Sequence, residues 1–172
     1  MDEDESKLAI REVVENWALW RDAGDWERFR TVWHPDGWMT ATWFQGPAAQ
    51  FIEVSQRGVE NGVNILHFLG GSTIDVNGDR AVAQTKMTIM QRSLVDGVVV
   101  DVDCIGRFYD FLELTDERWL IVRRQPIYEK DRMILVHPGA PLEPSTDDRA
   151  VPLFVVSECG ALCTVDRWLP RR

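Results

Sequence analysis

The chain has 172 residues, 45% of them hydrophobic and 27% charged. That length suits one domain burying about 70% of its unfolded surface, and the composition is that of an ordinary globular protein. A formal net charge of −9 argues against nucleic acid or an anionic membrane surface as the main partner, since both select basic faces.

Part of that charge sits in the opening stretch MDEDE, which reads as a solvated tip ahead of the positive end of a helix. No basic stretch followed by an apolar run occurs there, and no apolar segment approaches bilayer length, so neither a leader nor a membrane span is expected. The three cysteines, Cys104, Cys159 and Cys163, have no metal-ligand spacing and cannot all pair internally. They point to a reducing, cytoplasmic compartment. Six of the eight tryptophans fall between Trp17 and Trp43, enough to line a core or a pocket with aromatic rings.

In chain order, Ile10, Val13, Val14, Trp17 and Trp20 or Arg21 follow the three-and-four spacing of an amphipathic helix starting near Ser6. Gly24 supplies a left-handed residue to end it. Arg21 suits the negative C-terminal end of that helix dipole, and Asp22 does not. On an ideal helix Arg21 falls near the centre of the apolar face, and Asp22 on its flank beside Ala18. Arg21 is read first as a dipole partner and only second as a substrate ligand. Asp25 is placed to cap a short second helix over residues 26–33, with Phe29, Val32 and Trp33 inward.

His34-Pro35-Asp36-Gly37 reads as a turn, and residues 38–44 as a first strand. Gly46-Pro47 opens a third helix. Phe51, Ile52, Val54, Ser55 and Val59 give it a partial apolar face, and Gly58 or Gly62 ends it. Four β-like runs follow, over 65–76, 80–94, 98–113 and 119–128. They are joined by Asn77-Gly78, Asp96-Gly97 and Thr115-Asp116-Glu117-Arg118. Runs longer than the usual five or six or so residues predict a strongly curved sheet. Helices first and an antiparallel meander afterwards make an α+β domain over residues 1–130, with three helices on one face of a mainly antiparallel sheet. From residue 131 the pattern dissolves. Pro138, Pro141, Pro144 and Pro152 punctuate a tail, 131–172, read as an extension packing on the domain or on a neighbouring subunit.

Only three histidines are present. His34 and His137 each precede proline in loop-like sequence and read as surface residues. His67, in NILHFLGGSTIDV, shares a strand face with Ile65 and Leu69, while Leu66 and Phe68 take the other. Both faces look apolar, which predicts a buried ring. Spacing alone leaves His67 as a core histidine bonded to a carbonyl, and Asp22 as a solvated helix-end carboxylate.

The segments WALWRDAGDWERFRTVWHPDGWM, GPAAQFIE, HFLGGSTIDVNGDRAVAQT, GRFYDFLELTDERWLIVRR and PIYEKDR, in that order, resemble the nuclear transport factor 2-like superfamily. Within it they resemble the SnoaL-like group of scytalone dehydratase and lindane dehydrochlorinase. The resemblance covers roughly residues 6–132. It implies a cone-shaped α+β barrel of the cystatin-like type. It also implies an Asp–His dyad inside the cone, the Asp two residues before GDW being Asp22 and the His of HFLG being His67. Gly71 and Phe108 depart from the Asn and Tyr of many relatives, so Tyr109 or Tyr128 is left to supply a polar group. Phe108 and Trp43 are expected in the wall.

An imidazole near its ordinary pKa of about 6.5 is a proton acceptor at cellular pH, and a carboxylate on its far nitrogen fixes the tautomer. Such a base supports removal of an activated proton. The resemblance therefore implies a cofactor-independent lyase, a dehydratase or related eliminating enzyme, acting on a small apolar cyclic or aromatic molecule. An isomerase working through an enolate, or a non-catalytic hydrophobic-ligand or association module, are the alternatives. No cofactor, phosphate-loop or metal motif is seen. A homodimer or homotrimer is expected by analogy.

Overall fold

The computed structural model describes residues 2–95 and 98–136. The expected turn at Asp96-Gly97, together with His137, Cys159, Cys163 and the proline-rich tail, lies outside the described residues. Helix α1 spans Glu3–Ala23 and starts earlier than apolar spacing predicts. Asp2 Oδ1 accepts the Glu5 N–H at 2.8 Å, and the Asp2 N–H donates to Glu5 Oε2 at 2.9 Å. This capping box turns the acidic opening stretch into the helix's first turn, where its charge suits the dipole. At the other end Gly24, with φ of 69°, donates to the Arg21 carbonyl, and the Asp25 N–H donates to that of Trp20 at 2.9 Å. That Schellman closure fixes the last turn, which carries Arg21 and Asp22.

Asp25 caps α2 (Trp26–Arg30) by accepting the Arg28 N–H. Strand β1 (Trp33–Thr40) runs straight through His34-Pro35-Asp36-Gly37, the stretch expected as a turn. The turn character survives as a distortion: β1 advances from Trp33 to Trp38 while its partner advances only from Ile121 to Arg123. Pro35 has no N–H to pair, and Asp36 donates its own to His34 Nδ1 at 3.1 Å. A three-residue strand β2 (Gln45–Pro47) folds back on β1 before α3 (Ala48–Glu60). The chain then makes β3 (Ile65–Asn77), β4 (Arg80–Val95), β5 (Val98–Thr115) and β6 (Arg118–Leu135).

The strands form one open six-stranded sheet in the order β2-β1-β6-β5-β4-β3. Among the described strands only β1 and β6 are parallel neighbours. Register breaks at Leu69/Ser72, Ile105/Gly106 and Phe111/Leu112 bend the long strands around the helices. The fold class is thus the expected α+β one, with a curved sheet that stays open rather than closing into a barrel. Between the layers sits an aromatic cluster centred on Trp17. Its ring lies 5.3 Å from Phe29, 6.1 Å from Phe51 and 5.3 Å from Phe108. On β3 only one face is buried. Ile65 is inside, whereas Leu66 and Phe68, expected to be covered, are 52% and 69% exposed.

Candidate active site

The Schellman closure leaves Asp22 on the flank of α1 that faces the first residues of β3. Its Oδ2 accepts the His67 backbone N–H at 2.6 Å, and its Oδ1 lies 2.7 Å from His67 Nδ1. A carboxylate only accepts, so Nδ1 carries the hydrogen and Nε2 is the acceptor nitrogen. The imidazole is 5% exposed and the carboxylate 14%. Burial pushes the His67 pKa below its ordinary value. The Asp22 bond and charge oppose that shift, and the charges of Arg21 and Arg124 add to it. At neutral pH the ring is therefore uncharged and basic.

The ring stands in the wall of a small cavity, about 30 Å³, between α1, α3 and the concave face of the sheet. Trp17, Trp43, Phe51, Ile89 and Phe108 make most of the wall apolar. Trp43 and Phe108 thus stand where the wall residues were expected. Of the two tyrosines, Tyr128 lines the cavity and is 8% exposed. Tyr109 does not. Strand alternation places it opposite the inward Phe108, and its ring packs 5.4 Å from that of Phe111. Gly71 is exposed at the β3 bulge, with open space around it. Cys104 is in the wall, but burial raises its thiol pKa, which disfavours the thiolate.

One preferred reading is overturned, and one feature escapes the sequence reading. Arg21 is not a solvent-facing dipole partner: its side chain is 5% exposed and lines the cavity. Behind the wall, Arg124 on β6 and Asp110 on β5 form a wholly buried bidentate pair, at 2.6 and 2.7 Å. The guanidinium carbon lies 4.1 Å from the Trp17 ring centroid and 4.0 Å from that of Phe108. The signal for Asp110 was present, because it has the same strand parity as Phe108, and Arg124 is its register partner.

Residues 2–125 match the SnoaL-like domain family. The chain belongs to that family. A PEP2-like protein of Fusarium vanettenii is 38% identical to this SnoaL-like chain over 136 residues, covering 77% of the chain and 58% of that protein. The chain spans 55–59% of the length of the curated relatives it matches. Among solved structures, a type 2 hexachlorocyclohexane dehydrochlorinase, LinA, superposes with a TM-score of 0.67 at 13% identity, covering 78% of this chain and 95% of that one. A putative scytalone dehydratase of Novosphingobium aromaticivorans does so with a TM-score of 0.63 at 16% identity, covering 80% and 95%. The SnoaL-like fold seen here is the NTF2-like, cystatin-like one.

Proposed function

We propose that this SnoaL-like chain is a cofactor-independent lyase of the dehydratase or related eliminating kind, with His67 as general base and Asp22 as the residue that orients it. The observation that carries the reading is the 2.7 Å contact between Asp22 Oδ1 and His67 Nδ1 beside an apolar cavity. His67 Nε2 takes a proton from a carbon next to an activating group. The electron pair forms a C=C bond as hydroxide or halide departs from the adjacent carbon, and Asp22 stabilises the imidazolium. Aromatic walls suit a small cyclic or aromatic substrate. LinA and the scytalone dehydratase homologue, whose names denote dehydrochlorination and dehydration, support this class on the same fold. If the electron pair is instead held as an enolate and reprotonated elsewhere, the same base makes an isomerase, and product analysis separates the two.

The test is turnover of a panel of hydroxy-ketones, enolisable ketones and halogenated rings. The active base is the neutral imidazole, so the rate rises with pH to a plateau. Because burial lowers the His67 pKa, half of the plateau is reached below the ordinary histidine value of about 6.5. Asp22→Asn and His67→Ala should each cost about 10² to 10⁴ in rate. An Asp22→Asn variant with full turnover sinks the dyad. Ligand binding without turnover of any panel member makes the domain a binding module.

A further inference from the structure

Among the described residues two guanidinium groups are buried near the cavity, and they are in different electrostatic states. Arg124 spends two of its nitrogens on Asp110, at 2.6 and 2.7 Å. Arg21 is as well buried, with 5% of its side chain exposed, yet among the described residues its side chain has a single acidic neighbour. Its Nη1 lies 3.6 Å from Asp22 Oδ1, beyond hydrogen-bond length. Asp22 has little left to offer, because both of its oxygens already accept from His67, at 2.6 and 2.7 Å. The remaining charges near Arg21 do not complete it either. His67 is neutral at pH 7, and Asp110 is taken by Arg124.

A guanidinium fork taken out of water is normally paired in two parallel bonds to a carboxylate or phosphate. Apart from that 3.6 Å approach to Asp22, Arg21 faces the cavity rather than a two-bond carboxylate partner among the described residues. The same cavity is lined by Trp17, Trp43, Phe51 and Phe108, whose rings suit a flat hydrocarbon body.

We propose that Arg21 anchors the carboxylate of a small aromatic or cyclic acid, and so selects acids over neutral rings of the same shape. This deepens the lyase reading, since it rests on the same cavity being the substrate site. It replaces a purely apolar substrate with one that has an apolar body and an acidic end. Asp22 sits next to Arg21 and sets the limit on this preference, because its charge opposes the bound anion.

The experiment uses the full chain at neutral pH and the fluorescence of the wall tryptophans. Benzoate is titrated against benzamide, which has nearly the same shape without the charge. Wild-type protein should bind benzoate about tenfold or more tightly than benzamide, the scale of a charge-assisted pair. Arg21→Met should abolish the preference, weakening benzoate by about tenfold more than benzamide. Arg21→Lys, which keeps the charge but not the fork, should retain part of it. Equal affinities in wild type, no saturable benzoate binding up to about 10 mM, or a preference that survives in Arg21→Met each overturns the assignment. If Arg21→Met does not fold, as read by circular dichroism, the wild-type comparison and Arg21→Lys still decide it. The outcome is separable from that of the dyad, because Asp22→Asn turnover tests the base, whereas the benzoate preference is a binding measurement that needs no turnover.

Discussion

Arg124 carries a charge into a place where the nearest surfaces are the faces of Trp17 and Phe108, and only Asp110 makes that tolerable. Both partners are wholly buried. Removing one therefore leaves the other as an uncompensated charge in a low-dielectric interior, a costlier state than an apolar replacement of the whole pair. Arg124→Met should lower unfolding free energy by about 3–5 kcal/mol, read from urea denaturation. The double variant Arg124→Met with Asp110→Leu should be more stable than that single one, although it has lost more polar contacts. A single variant within about 1 kcal/mol of wild type would mean that the pair behaves like a solvated one. Arg21 presents the same physics with a looser internal partner, Asp22 at 3.6 Å, and for that reason it points to a ligand while Arg124 points to the core.

At the scale of elements, two glycines position the site for different reasons. Gly24 holds φ of 69° at the end of α1, and a Cβ there would meet nothing nearer than 3.7 Å. Gly24→Ala is therefore a conformational cost alone, about 1 kcal/mol. Gly106 lies at a bulge of β5, where a Cβ would be driven into the Ile127 carbonyl of β6. Gly106→Ala should cost more, about 1–3 kcal/mol from overpacking, and thermal unfolding of the two variants should rank them in that order. The reverse ranking would show that β5 and β6 can part at the bulge without loss. The long strands were legible because Asn-Gly, Asp-Gly and one charged tetrapeptide separate runs of β-forming residues. β2 was not, since three residues carry no period, and the end of β6 was missed because Glu129, Lys130, Asp131 and Arg132 are all exposed and show no alternation. The meeting of Asp22 with His67 needed the family resemblance, because helix spacing places Asp22 on a flank and says nothing of what crosses it. For Arg21 the spacing pointed inward, and the general preference for cations at helix ends pointed outward. The spacing was the better guide: of residues 20–23 only Arg21 is buried.

In the whole molecule, the Asp22–His67 contact ties the helical layer to the edge of the sheet. Among the described strands β3 is the last and pairs only with β4, so no described strand holds its outer side. At His67 that role falls to Asp22, whose Oδ2 accepts the backbone N–H at 2.6 Å. The carboxylate thus serves two ends at once, orienting the ring and anchoring the strand that carries it. Asp22→Ala should remove both, and the backbone part can be seen without any substrate. A hydrogen bond of a charged acceptor is worth about 1.5–3 kcal/mol, so native-state exchange of the His67 amide should speed up by roughly ten- to a hundredfold. Amides of β5, paired on both sides within the sheet, should keep the exchange rates of wild type after correction for global stability. Uniform acceleration across β3 and β5 would mean that the variant loosens the fold as a whole. An unchanged His67 amide would mean that the edge strand holds its place through β4 alone, leaving Asp22 with the ring as its one task.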